Sequence, residues 1–514
     1  MHQCLLIVEV QRAVFREVHG DANDSASLAI LARTCRAFTS VALDVLWQDL
    51  DAFVRLIQCL PQDLWRIDKY HGRLNFHRSM SISDWEMFFK YSTRVRSIQE
   101  IGLEEEGFFE LADDVVVALC NPPTFGPLVP YLKTLGWDRP NKKYAPLLRL
   151  LLTPSLSNLS LQANACILRT PEVSILSTIG ITCRSLKRLT INTPVVSSFL
   201  DEKGAKILSA AMLYLHSLEE LTCGALDEDA VAHLSRVPWL RQLEISLMTD
   251  FSANKIKPLL APPVFANIVS LTLTADTMLV VTSILEATRF APNDVAFYIK
   301  TLPTVDAIQQ FYTTLANSCD VEELCNVSLA VQEKNRLPMD PHQQLDFCAF
   351  QPLLELPYIS CFTLDVPWKI GLDDADMTTL AKSWRYLDTL AINPTYGWGT
   401  RSRVTHRGLI SLIAHCPVLA DIAFSVDFSG IDFVPSEMPS SRPGAGQSNE
   451  GCSIADFVTS KIENPASIAA FLSDTTLTLT TLRCTGNAGQ KSRLFYLRSL
   501  LWEGNGRHGT SKRR

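Results

Sequence analysis

The sequence predicts an α/β fold in two parts: a short N-terminal helical module, then a curved solenoid with parallel strands inside and helices outside. Three observations carry this. A nine-residue apolar pattern recurs through residues 126–485, helical segments lie between its copies, and an apolar helical stretch of different character precedes them all. At 514 residues the chain exceeds what one compact core spans, so it is either several domains or an elongated array. Hydrophobic residues at 47% and charged residues at 20% are ordinary for a folded chain.

The pattern is clearest in "VPYLKTLGW" from Val129, "TPSLSNLSL" from Thr153, "CRSLKRLTI" from Cys183, "LHSLEELTC" from Leu215, "VPWLRQLEI" from Val237 and "FANIVSLTL" from Phe265. It returns in "LPYISCFTL" from Leu356, "WRYLDTLAI" from Trp384, "CPVLADIAF" from Cys416 and, more weakly, "TLTLTTLRC" from Thr476. Apolar residues stand at window positions four, seven and nine, such as Leu186, Leu189 and Ile191. Alternation sends positions seven and nine to one side of a strand, so each window is a turn followed by a strand. Two degenerate units are expected in the gap, around "DVAFYI" and "VEELCNVSL".

Between windows the period becomes helical. "THRGLISLIAHC" opens at Thr405, an N-cap residue type, and places Leu409, Leu412 and Ile413 on one face before Pro417. "TVDAIQQFYTTLANSC" does the same after Thr304. A unit of one strand and one helix cannot bury its own apolar side, so neighbours stack and the strands line an inner surface. The segment 434–453, dense in Pro, Ser and Gly, predicts a flexible loop, and "GWGTRSR" from Gly397 predicts a projecting one.

These windows resemble leucine-rich repeats of the irregular, long-unit kind, in which a Cys or Pro often precedes the first Leu, as Cys183, Cys416 and Pro417 do here. The leucines are core; function belongs to the exposed residues between them. On the inner surface the candidates for substrate binding are Lys187, Thr190, Asn192, Glu244, Ser246, Thr272, Thr363, Asp365 and Asn393.

Several function classes drop out. A net charge of −7 argues against a general nucleic-acid binder, and the basic end "SKRR" is a solvated terminus. No apolar run reaches the roughly 18 residues of a membrane span, and "MHQCLLIVEVQR" lacks a signal-peptide pattern, so no membrane partner is expected. The 14 cysteines, from Cys4 to Cys484, contain no C-x-x-C, which points to a reducing compartment, cytoplasmic or nuclear, with buried thiols. The cluster Asp373, Asp374 and Asp376 precedes a helical segment and is expected to cap it, so no metal is expected. Nucleotide-binding and hydrolase motifs are absent, and no cofactor is implied. A hydrolase built on Cys416 with His406 or His415 is the one catalytic alternative.

The N-terminal stretch "LLIVEVQRAVFREVHGDANDSASLAILARTCRAFTSVALDVLW" carries a short apolar helix, a polar turn, and a segment with two apolar faces. Taken as one helix, 27–50 puts Leu28, Leu31, Ala32, Cys35 and Phe38 on one face, with Ile30 and Val41 on the other. Two faces need two covers. The stretch resembles an F-box, the three-helix module that docks on the Skp-type adaptor of cullin-RING ubiquitin ligases, and "ALDVLW" is similar to fungal members. Ile7, Glu9 and Val10 match the start of the family pattern, Val14 and Phe15 its Ile-Phe pair, and Leu28, Leu31, Cys35, Arg36 and Phe38 its later part. Val8 stands where the family usually has Pro and Gln11 where it usually has Leu; Val8 gives up the preorganisation Pro lends a first helical turn.

The resemblance implies adaptor contacts at Ile7, Glu9, Val10, Val14, Phe15, Leu28, Leu31, Cys35 and Phe38, with the adaptor, and through it a cullin, covering one face. The alternative is that both faces are internal core. The expected organisation is an F-box-like module over 1–60, a connecting helical region over 61–125, the repeat array over 126–485 and a tail over 486–514. An F-box followed by leucine-rich repeats implies a non-catalytic subunit of a Skp/cullin/F-box ubiquitin ligase that recruits a protein substrate. A free repeat scaffold, binding a partner without a ligase, is the main alternative.

Overall fold

The computed structural model describes residues 7–20, 25–68, 70–99, 110–137, 142–162, 174–192, 202–260, 264–288, 290–332, 343–431, 446–476, 478–484, 493–495, 497–498 and 501. Most of the expected tail 486–514, and 434–445 of the expected loop, lie outside them. No described helix is long and apolar enough to cross a membrane. The chain divides into two units, 1–240 and 241–514.

The first unit opens with three helices: α1 (Val8–His19), α2 (Ser25–Thr34) and α3 (Arg36–Leu46). The sequence pattern taken as one helix over 27–50 is two. Cys35 is extended (φ −157°, ψ 158°) and caps α3 without a side-chain bond, while Thr39 Oγ1 donates to Ala32 O at 2.8 Å and Cys35 O at 3.1 Å across the break. The break resets the helical phase, so Val41 joins Leu28, Phe15, Ala42 and Val45 in one core rather than facing away. Leu31, Ala32, Phe38 and Leu46 pack against that core, and the Phe15 and Phe38 rings meet edge to face at 5.3 Å. Arg94 ties α3 to the next layer through Asp44 and the Ser40 carbonyl.

The repeat strands begin upstream of the expected 126. Asp49–Leu50, Ser97–Gln99, Thr134–Trp137, Asn158–Gln162, Arg188–Asn192 and Glu220–Leu226 pair in sequence order, every pair parallel. The region 61–125, expected to be helical, thus contributes a strand to this sheet, and also a small three-stranded sheet of Trp65–Asp68, Arg73–Phe76 and Glu110–Leu111. Its helix Ile82–Ser92 is held by a capping box between Ser81 and Asp84, and Asp84 takes two bonds from Arg78 at 2.5 and 3.1 Å.

Among the described residues the second unit repeats the scheme over nine parallel strands: Gln242–Leu247, Ser270–Ala275, Asp294–Ile299, Asn326–Val331, Cys361–Asp365, Thr389–Ile392, Asp421–Ala423, Ile454–Asp456 and Thr481–Arg483. The two degenerate units are strands as expected. A further strand, not expected, follows directly on the expected flexible loop: "NEGCSIADF" from Asn449 buries Cys452, Ala455 and Phe457. Asn449 fixes its entry, accepting from Gly451 N at 2.6 Å and Cys452 N at 3.1 Å and donating to Cys416 O at 3.2 Å.

Several of the helices between strands start at a capping side chain. Thr304 caps Val305–Ser318 and Thr405 caps His406–His415, each hydroxyl accepting a backbone N–H. Window positions four, seven and nine are almost uniformly buried; Leu186, Leu189 and Ile191, or Leu387, Leu390 and Ile392, are at most 1% exposed. Each unit is therefore a leucine-rich-repeat solenoid, parallel strands on one side and helices on the other.

Candidate functional sites: an exposed helical stripe and the polar sheet face

In the N-terminal module the helical period decides what is left for a partner. Ile7, Val14 and Val18 recur at i, i+7 and i+11, within about 20° of one line along α1. They are 50%, 42% and 40% exposed, and Ile30 on α2 is 66% exposed. Glu9 is exposed as well, and Val10, Leu31, Cys35 and Phe38 are half-buried. Phe15 and Leu28, expected at the adaptor face, are instead 3% and 0% exposed, because they pack with Val41, Ala42 and Val45 in the core the three helices share. Sequence matching could not separate Val14 from Phe15. Adjacent helical residues point about 100° apart, and the neighbour that is covered depends on how α1 lies against α3.

On the sheet, strand alternation leaves every second residue on the side opposite the helices. Thr190 lies there half-buried between Ser160 and Thr222 in register; Asn192 closes the same strand, its side chain outside what the structure describes. Glu244 is exposed beside the half-buried Thr272, with Ser246 following on the same strand. Thr363 sits between Ser328 and Ala391. Lys187, expected to be available, is engaged by Glu219 at 2.7 Å, and Arg188 by Glu220 at 3.0 Å. Asp365 accepts the Thr395 N–H at 3.1 Å and so shapes a turn.

Asn393 corrects the expectation outright. It is wholly buried at φ 52°, and its side chain accepts from Val366 N at 3.0 Å while donating to Trp368 O at 3.0 Å and Gly397 O at 3.1 Å. Left-handed backbone tolerates Asn, and the amide closes the turn. That turn also corrects the projecting loop from Gly397: Trp398 is fully buried and donates to Ile392 O at 2.9 Å.

The catalytic alternative does not assemble. Cys416 is fully buried, its thiol bonds to Trp384 O at 3.4 Å and Ala381 O at 3.6 Å, and burial pushes its pKa up to about 12. His415 Nδ1 is taken by Ser411 O at 2.8 Å, and the His406 ring lies edge-on to Phe471 at 6.0 Å. Among the described residues neither imidazole bonds to the thiol, so no thiolate is generated. The Asp373 cluster caps as expected. Asp373 Oδ1 accepts from Ala375 N and Asp376 N, Asp376 Oδ2 accepts from Asp373 N, and Asp374 binds the backbone of Thr405 and Gly408.

Residues the apolar windows passed over stand at window position three. Tyr131, Trp239, Tyr358, Tyr386 and Val418 occupy it and are 41–64% exposed. The aromatic recurrence was the available signal, but a pattern built on buried positions ignores it.

Set beside solved structures, the chain is similar to one in "Crystal structure of Rad7 and Elc1 complex in yeast", at 16% identity and a TM-score of 0.37, over 85% of this chain and 91% of that one. It is also similar to a chain in "Crystal structure of TLR13-ssRNA13 complex", at 14% identity and a TM-score of 0.34, over 78% of this chain and 58% of that one. No family model and no curated protein matches the sequence.

Proposed function

We propose that the chain is the substrate-recognition subunit of a Skp/cullin/F-box ubiquitin ligase, an F-box-type module of the fungal kind joined to a leucine-rich-repeat receptor for a protein substrate. The observation that carries the reading is the stripe Ile7, Val14 and Val18 with Ile30, apolar and exposed on a module whose core is already complete without them. Residues Phe15 and Leu28 serve by filling that core and holding α1 at the angle that presents the stripe.

The chain performs no bond chemistry in this reading. The N-terminal module engages the adaptor and through it a cullin while the repeats hold a substrate, so a substrate lysine meets the charged conjugating enzyme at high effective concentration. Such a subunit works in the cytoplasm or nucleus. The polar sheet face, with Glu244, Thr272 and Thr363 open on it, supplies the substrate surface.

Val14→Glu with Val18→Glu tests it. Burying two carboxylates at an apolar contact should abolish capture of a Skp-type adaptor while unfolding stays within a few degrees of wild type, since neither residue is in the core. Phe15→Ala is the contrasting variant: it should lose adaptor capture only together with α1–α3 structure. Undiminished capture by the double variant removes the stripe from the interface. A wild-type chain that captures no adaptor leaves the free-scaffold alternative in place of the ligase.

A further inference from the structure

The two units treat the entry edge of their strands differently. In the first unit cations at this edge are answered within the chain at two places. Lys187 and Arg188 pair with Glu219 and Glu220, and Arg96 lays its guanidinium over the ring of Tyr131 at 5.0 Å. Tyr131 holds window position three.

In the windows from Leu356, Trp384 and Cys416 of the second unit, positions three, five and six carry exposed apolar side chains and anions and no cation. Tyr358 and Tyr386, from consecutive windows, stack at 5.5 Å and 18° while remaining 41% and 56% exposed, and Val418 continues the line at 51%. Beside them the backbone ladder sets Asp388 in register with Ser360 and Ala420, and Asp421 in register with Thr389. Asp294 lies two strands from Cys361 on the same row. Among the described residues none of these three carboxylates has an ion-pair partner, including the nearby exposed Arg385, and no cation lies over either ring. The carboxylates feel one another: burial and then Asp388 raise the pKa of Asp421, and burial, opposed by a bond from Thr363, raises the Cys361 thiol with Asp388, Asp294 and Asp421 adding to it. Placing negative charges together at cost, next to an exposed apolar pair, leaves a surface whose complement is cationic.

Resting on the receptor reading above, we propose that the edge formed by Tyr358, Tyr386, Val418, Asp388 and Asp421 binds an extended basic segment of the protein substrate. An arginine or lysine of that segment lies on the Tyr358–Tyr386 pair, as Arg96 lies on Tyr131, and a second reaches Asp388 and Asp421, as Lys187 and Arg188 reach Glu219 and Glu220.

The test uses the full chain and a fluorescent peptide of alternating arginine and glycine, with its glutamate–glycine counterpart, read by anisotropy. The wild type should bind the arginine peptide alone, more weakly as salt rises. Asp388→Asn with Asp421→Asn, and separately Tyr358→Ala with Tyr386→Ala, should each weaken binding roughly tenfold or more, while Tyr386→Phe retains it. Tyr358, Tyr386 and Asp388 are exposed and Asp421 is half-buried, so unchanged thermal unfolding verifies the fold. Equal binding by both double variants, or no preference for the arginine peptide, overturns the proposal. Adaptor capture is measured on the same samples: its loss in wild type with peptide binding intact removes the ligase and leaves the basic-segment site, and the converse result removes the site alone.

Discussion

Replacing Asn393 by Ala should open the segment around residues 364–404 without touching the rest of the second unit. The magnitude follows from what the amide satisfies. Its loss strands the Val366 N–H and the Trp368 and Gly397 carbonyls in a site with no solvent exposure at Asn393 itself. Each unsatisfied buried group costs about 1 kcal/mol or more, and alanine in the left-handed region at φ 52° adds about 1 kcal/mol. A total of about 3–5 kcal/mol would raise local opening by two orders of magnitude or more. Hydrogen exchange at the amides of Val366, Asn393 and Gly397, all bonded in the native turn, is the assay. Asn393→Gly is the informative partner, because it loses the same bonds while relieving the backbone, and should fall about 1 kcal/mol short of the alanine variant. Exchange in the alanine variant within threefold of wild type, or identical behaviour of the two variants, would refute the reasoning.

Two further outcomes are expected. The Arg78 guanidinium, with Ser81, holds the Asp84 carboxyl well below the usual carboxylate range against its burial. A carboxyl whose folded pKa is depressed stabilises above its unfolded pKa near 4 and loses that contribution as pH falls toward the folded value. Thermal unfolding of Asp84→Asn should therefore lie below wild type at pH 7 and converge on it below about pH 4; a gap that is constant with pH would count against the pairing. Burial pushes Cys183, Cys319, Cys416 and Cys452 up to about 12, whereas Cys348 is exposed. Alkylation at pH 7.5 followed by mass spectrometry should label Cys348 within minutes and the other four only after denaturation; rapid labelling of Cys416 in the native chain would contradict its described surroundings.

What could be read from the residues alone followed how strongly a feature is repeated. Ten windows with apolar residues at fixed spacing announce buried strand positions, since burial is the one demand every unit shares. Strands whose windows departed from it were passed over: Ser97–Gln99 has Val95 and Ile98 but Glu100 at position nine, and Ile454–Asp456 uses Cys452 and Ala455 where others use Leu. The break at Cys35 left no mark, because its cap makes no side-chain bond and both flanking stretches keep a helical period. Asn393 looks like any polar residue one step beyond a strand; only the fold shows that a carbonyl, a second carbonyl and an N–H converge on it. The docking stripe was half legible. Apolar residues at 7, 14 and 18 are visible in sequence, but which side of α1 remains open is set by the packing of Phe15 against Phe38.

The most direct measurement is light scattering on the full-length chain mixed with a purified Skp-type adaptor. A stable 1:1 complex, lost in the Val14→Glu, Val18→Glu variant, is the result expected of a ligase receptor. Two separate peaks at micromolar concentration, with the α1–α3 module folded, would contradict it.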